Sequence, residues 1–373
     1  MRSEVELRSL WAPPVAAGCA AFVLGVTGLL TIASSRYAVA AQPDPLLLKQ
    51  MLFMVIGIAL MFAAAAVPFR FYRKNALLLG GMGVLSLLLL PLVGASVHGM
   101  RGWIMYGELS LQPSEIMKPA FVLVLSAIMA QRERPESWRF CLGGLWTLAW
   151  VVPVAWQPDF GTAVIYFGTF MLLYFASGGK LRYLVLPALA GAVAAAVFVQ
   201  LHPYAWRRIC AFIDPESDPL GSGWHARQFE LAIARGHLFG AKLGGALWSN
   251  NYLPFSYNDS AFATLMETLG LAGGVMIVAM LTLLAISLLR LGAAEKLRPA
   301  NRIFILGVML LLVFQSIVHI SVNLCLLPTT GLTMPFVSYG GSSLAGCFIL
   351  LGMALSAGKE TQNHKEESEK CVL

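Results

Sequence analysis

Residues 76–94 read ALLLGGMGVLSLLLLPLVG, nineteen consecutive positions without a charge. A run this long and apolar is the signature of a helix that crosses a bilayer. It is not isolated. Stretches bounded by charges, Pro or Gly predict further helices near 14–34, 48–67, 114–130, 140–156, 161–178, 182–200, 262–290, 302–327 and 340–357, ten in all. Of the 373 residues, 58% are hydrophobic and 12% charged, with a mean hydropathy of +0.73, whereas soluble domains are about 25% charged. A soluble enzyme, a disordered chain and a disulfide scaffold are thereby excluded. The expected fold class is all-α: one polytopic membrane domain over 1–373, with a long loop between the seventh and eighth helices.

Charge placement orients the bundle. The net charge of +7 could indicate nucleic-acid binding, but the 26 Lys and Arg must first be placed. With a cytoplasmic amino terminus, the cytoplasmic loops carry Arg70, Arg73, Lys74, Arg132, Arg134, Arg139, Lys180, Arg182, Arg290, Lys296, Arg298 and Arg302, and the short external loops only Arg36 and Arg101. That positive-inside bias puts both termini in the cytoplasm and leaves no basic excess for nucleic acid. The first run ends near Ala38-Val39-Ala40, a pattern like a signal-peptidase site. Its apolar stretch, about 20 residues, marks an uncleaved span instead. The tail from about 358 to 373 is polar and expected to be cytoplasmic. Cys19, Cys141, Cys210, Cys325, Cys347 and Cys371 form no CxxC or Cys/His cluster; they are expected to be unpaired, mostly buried thiols.

The loop from about 201 to 261 is too long for a plain connection, and such loops usually carry function. It holds five bases (Arg207, Arg208, Arg227, Arg235, Lys242) and five acids (Asp214, Glu216, Asp218, Glu230, Asp259). Within it, Trp224 to Phe239 has the helical spacing of a segment lying on a membrane surface.

A charge in hydrocarbon costs at least about 2.5–3.5 kcal/mol, so each needs a partner or a purpose. Glu115 and Lys118 are three apart at the start of the fourth helix and can pair with each other or hold a head group. Asp159, in Gln157-Pro158-Asp159-Phe160-Gly161-Thr162, has the position of a helix N-cap. Asp259 precedes the eighth helix, with Glu267 two turns on. It reads equally as an N-cap or as a base acting on a lipid-linked substrate whose pyrophosphate the loop arginines hold. Residues 327–343 are uncharged and rich in Pro, Gly and hydroxyls. Such backbone survives near a membrane only where protein or water satisfies its amides. His319 and Asn323, four apart on the ninth helix, read as interhelical hydrogen-bonding groups rather than ligands.

Together these segments resemble the SEDS family (RodA, FtsW, SpoVE) of bacterial cell-wall synthesis. The resemblance rests on Arg101-Gly102-Trp103-Ile104, Leu111-Gln112-Pro113-Ser114-Glu115 with Lys118, Gln157-Pro158-Asp159-Phe160-Gly161-Thr162, and Leu253-Pro254 through Asp259 with Phe262-Ala263 and Glu267. It continues in Leu327-Pro328-Thr329-Thr330-Gly331-Leu332-Thr333-Met334-Pro335 and Ser338-Tyr339-Gly340-Gly341-Ser342-Ser343. It implies a peptidoglycan glycosyltransferase of the inner membrane that polymerises lipid II, working with a class B penicillin-binding protein and other divisome or elongasome membrane proteins. The family's essential loop aspartate falls on Asp259, here in Tyr257-Asn258-Asp259-Ser260 rather than the usual His-Thr-Asp. The resemblance makes Asp259 the catalytic candidate. Arg101, Glu115, Lys118, Asp159, Arg207, Arg208, Lys242, Glu267, Ser338 and Ser342 are the candidates for substrate binding, with a divalent cation (Mg or Mn) as a further candidate and no other cofactor. Thr333 favours the division branch (FtsW) over the elongation branch (RodA), while Gln157-Pro158-Asp159 is somewhat RodA-like. Rival readings are a lipid II flippase or transporter, and a scaffold without chemistry.

Overall fold

A computed structural model describes residues 12–36, 44–97, 100–107, 109–201, 203–216, 223–241, 244–253 and 255–360. Ala38-Val39-Ala40, Lys242, Pro254 and the tail from residue 361 on lie outside the described residues.

The predicted runs fold as helices α1 (Pro13–Arg36), α2 (Pro45–Ala66), α3 (Phe69–Lys74, a short turn), α4 (Ala76–Val93), α5 (Pro113–Ile116) and α6 (Lys118–Met129). They continue as α7 (Glu136–Trp156), α8 (Phe160–Ala176) and α9 (Arg182–Leu201). The long loop contributes α10 (Pro203–Ile213), α11 (Trp224–Gly236) and α12 (Leu247–Asn251), before α13 (Ala261–Gly292), α14 (Pro299–Asn323) and α15 (Gly341–Lys359). Among the described residues eight helices are long and apolar enough to cross a membrane, with α6 and α8 as shorter apolar helices. The fourth crossing is interrupted at Met117, leaving α6 with 12 residues, about 18 Å of rise. Pro113 and Pro119 each sit at the first positions of a helix, where their missing amides cost nothing. The helix restarts between Glu115 and Lys118.

Leu77, Leu92, Val55 and Leu186 are exposed on the bundle. In water that surface would aggregate; against lipid it is the expected solvent contact. For the same reason Cys19 and Cys141 face outward, correcting the expectation of burial, while Cys347 is buried. Lipid is as apolar as a protein core, so hydropathy does not say which way a small apolar residue points. At the centre stands α14, in contact with α6, α8, α13 and α15, while α15 lies along α2 and α1 along α13.

Two features depart from the sequence reading. Between α4 and α5 the chain forms an antiparallel sheet of β1 (Ala95–Val97), β2 (Met100–Tyr106) and β3 (Leu109–Leu111), too short to register against the apolar runs around it. The second is in α13, which breaks at Gly270 (φ 67°, ψ −164°). The amides freed there are taken by the long loop: Leu271 N and Ala272 N donate to His237 O and Leu238 O (2.9 and 3.0 Å), and Ala241 N donates to Glu267 O (2.9 Å). The helix α11 predicted for a membrane surface instead buries Gln228, Phe229 and Ala232 and packs against α13.

A Cβ on Gly270 would lie 2.4 Å from Gly240 N, and its φ is one that side chains rarely adopt. Gly270→Ala is therefore expected to cost about 1–3 kcal/mol. Hydrogen exchange at Leu271 and Ala272 should accelerate, because the splice with residues 237–241 is what protects them; unchanged exchange would disprove it.

Candidate functional site

Three polar clusters converge on the uncharged segment 327–343, each tying it to a different part of the bundle. The first lies within the membrane-spanning region. Lys118 Nζ donates to Glu115 Oε1 (2.6 Å) and to Gln315 Oε1 (2.8 Å). Gln315 Nε2 donates to Thr333 O (2.8 Å), and Thr333 Oγ1 meets Ser343 Oγ at 2.8 Å. Glu115 and Lys118 are only 3% and 1% exposed, so this is a fully desolvated pair whose geometry must offset the loss of water. Among the described residues Glu115 Oε2 has no hydrogen-bond partner.

The second cluster surrounds Asp159. Its Oδ1 accepts from Thr162 N (3.0 Å), the N-cap bond expected from its position, and its Oδ2 accepts from Gln112 Nε2 (3.2 Å). Gln112 N in turn donates to Ser342 Oγ (2.9 Å), and Ser342 Oγ donates to Ser110 O (3.3 Å). Both candidates are thus occupied with structure, joining α8, β3 and α15.

The third cluster holds Asp259. The first residue of α13 is Ala261, with Ser260 in the cap position and no side-chain cap bond. Asp259 is therefore not the N-cap. The amide of Ala263 is taken instead by Asn323 Oδ1 (3.0 Å), reaching across from α14. The backbone around Asp259 is pinned on both sides: Asn323 Nδ2 donates to Asp259 O (2.9 Å), Ser338 Oγ donates to Asn258 O (2.8 Å), and Tyr339 N donates to Tyr257 O (2.8 Å). Ser338 Oγ also accepts from Met334 N (2.8 Å). The half-buried Asp259 carboxylate faces Gly331 (φ 74°), where a Cβ would stand 3.6 Å from Oδ2. Glycine satisfies the positive φ and leaves that side of the carboxylate without a side chain.

The other candidates lie apart. Arg208 Nη1 donates to Thr329 O (2.7 Å), two residues before Gly331, on the wall of a cleft of about 160 Å³ that also includes Phe229, Glu230 and Cys325. Burial, and then the neighbouring Arg208, hold the imidazole of His225 below its usual range, so it is neutral at pH 7. Arg207 is exposed on α10 and Arg101 exposed on β2. Glu267, fully buried, accepts from Trp248 N (3.0 Å), Ser249 N (2.7 Å) and Ser249 Oγ, with Arg235 Nε at 3.6 Å. Its carboxylate fastens α12 to α13. Among the described residues no three His, Cys, Asp or Glu side chains converge as a metal site.

Sequence reasoning left Gln315 unnamed and quoted Gln112 and Thr333 within motifs without giving them a role in the site. Gln315 had a legible signal, because Gln315, His319 and Asn323 recur at every fourth position of an otherwise apolar run and so share one face of a helix.

The arrangement defines a polytopic membrane protein with a polar site built where two helix starts and an irregular loop meet. A family model described as the FtsW, RodA and SpoVE cell cycle protein matches residues 16–363. The probable peptidoglycan glycosyltransferase FtsW of Pseudomonas fluorescens is 34% identical, covering 95% of this chain and 90% of the relative. That of Alkalilimnicola ehrlichii is 36% identical, covering 88% and 84%. Among solved structures, a chain from a peptidoglycan synthase complex described as coordinating polymerization and crosslinking superposes with a TM-score of 0.77 at 30% identity, covering 92% of this chain and 96% of that one. The rod shape determining protein RodA of Thermus thermophilus gives 0.70 at 26%, covering 93% and 97%. The chain belongs to the FtsW/RodA/SpoVE family.

Proposed function

We propose that this chain is a peptidoglycan glycosyltransferase of the septal type, with Asp259 as its general base. The observation that carries this reading is the Asp259 carboxylate, half-buried and set beside the open face of Gly331 on backbone pinned from two sides. In this reading the donor is the growing glycan joined by an α-bond to undecaprenyl pyrophosphate, and the acceptor is the 4-hydroxyl of the incoming lipid II sugar. The hydroxyl oxygen attacks the anomeric carbon, its proton passes to Asp259, and the bond to pyrophosphate breaks. A β-1,4 link forms with inversion, and undecaprenyl pyrophosphate departs.

The departing charge needs cations, and Arg208, Arg207, Arg101 and Lys242 are the ones proposed to supply them. Glu115 and Lys118 are proposed to shape the cavity around the lipid-linked sugars, while Asp159, Glu267, Ser338 and Ser342 hold the elements that surround it. Relatives named as FtsW support the division role over elongation. The concentration of basic residues opposite the long loop supports a placement in the bacterial cytoplasmic membrane with both termini inside. The proposed partner is a class B penicillin-binding transpeptidase. The test is glycan-strand formation by the purified chain with that partner and lipid II, resolved by strand length. Translocation of lipid II without strands would support a transporter instead.

A further inference from the structure

The base assignment leaves open how a carboxylate on a loop is held still, and the polar pair His319 and Asn323 has no part in the chemistry above. We infer that His319 and Asn323 act as one positioning unit, a clamp on α14 that fixes Asp259 and its facing loop relative to each other. The inference rests on the reading of Asp259 as the base.

Both side chains are buried, at 1% and 0% exposure. His319 Nδ1 lies 2.7 Å from Leu332 O. A carbonyl only accepts, so Nδ1 carries the proton and Nε2 is left as an acceptor. Asn323 Nδ2 donates its two hydrogens to Asp259 O (2.9 Å) and to His319 O (3.0 Å), with His319 Nε2 as a longer contact at 3.4 Å. Its Oδ1 accepts from Ala263 N (3.0 Å). Turning the amide over would set donor against donor at Ala263 and acceptor against acceptor at Asp259, so its orientation is determined by its neighbours.

One helical turn therefore grips both walls of the site. Asn323 holds the backbone of Asp259 and the first turn of α13. His319 holds Leu332, next to Gly331, whose open face the carboxylate meets. Asn323 also donates to the backbone carbonyl of His319 (3.0 Å), so both grips are set on one turn of α14 and a shift of that turn moves both walls together. Both side chains are buried and committed to protein partners, which assigns them a positioning role rather than a catalytic one.

The test compares Asn323→Asp, Asn323→Leu, His319→Leu, His319→Gln and Asp259→Asn in the full chain with its transpeptidase, assayed on lipid II. Asn323→Asp keeps an acceptor for Ala263 N but loses the donor to Asp259 O. It should lower kcat by about 10²-fold, the order expected when a reacting group is misplaced by about 1 Å, with KM for lipid II nearly unchanged. Asn323→Leu should lose at least as much. His319→Gln retains one donor and one acceptor and should recover most of what His319→Leu loses. Thermal unfolding in detergent, with kcat expressed per folded molecule, separates a fold defect from a positioning defect. Unchanged kcat in Asn323→Asp, or His319→Gln no better than His319→Leu, would overturn the clamp. Full activity in Asp259→Asn would instead overturn the base assignment, so the two failures are distinguishable.

Discussion

Asp259→Asn is expected to reduce strand polymerisation by about 10²–10⁴-fold, the range attributed to a positioned general base. The substitution changes one oxygen to an amide. Asp259 O still accepts from Asn323 and Asn258 O from Ser338, so the backbone and its pins survive. A loss of rate with preserved folding and transpeptidase binding would thus report on the carboxylate rather than on the backbone that carries it. Normal glycan ladders from the variant would remove Asp259 from the chemistry and return the site to a structural reading.

The largest effect on stability is expected from Lys118→Met. Among the described residues Lys118 donates the hydrogen bond to Glu115 Oε1, and Glu115 Oε2 has no hydrogen-bond partner. Removing the ammonium leaves a carboxylate uncompensated inside the bundle and strips Gln315 Oε1 of its donor. Breaking one side of a buried pair costs about 3–5 kcal/mol, whereas replacing both partners with apolar groups is often close to neutral. Thermal unfolding in detergent should show a strong drop for Lys118→Met and a partial recovery for Glu115→Leu combined with Lys118→Met. Equal melting of wild type and the single variant would mean that the pair contributes nothing to the fold.

The bundle was legible in the sequence because hydrocarbon imposes a hard requirement: lipid-exposed backbone must satisfy its own polar groups, so each crossing reads as an apolar helical run. Runs such as 76–94 and 302–327 satisfy it with little ambiguity. What composition could not express was contact between distant segments. Asp259 has the address of an N-cap, yet the cap bond of α13 comes from Asn323, sixty residues away along the chain (Ala263 N to Asn323 Oδ1). Glu267 is a substrate-binding candidate by its position two turns after Asp259, and its hydrogen bonds to Trp248 and Ser249 in the preceding loop could not be read from that position. The break at Gly270 was hidden because glycine is common in transmembrane helices and carries no mark of its φ. Asp159 shows the opposite case. Its cap bond to Thr162 is local, and local hydrogen bonding is what sequence spacing records.

The interruption of α13 also bears on how the protein is made. Residues 237–241 obtain their hydrogen-bond partners from Glu267, Leu271 and Ala272, which leave the ribosome after them. The long loop therefore cannot complete its hydrogen bonds while it is being synthesised. It must wait, with its charges in water, until the eighth crossing is synthesised and its bent segment settles into the bilayer. The active configuration of the enzyme is in this sense a late event of biogenesis, completed only once α14 and its carboxamide have arrived to close the far side.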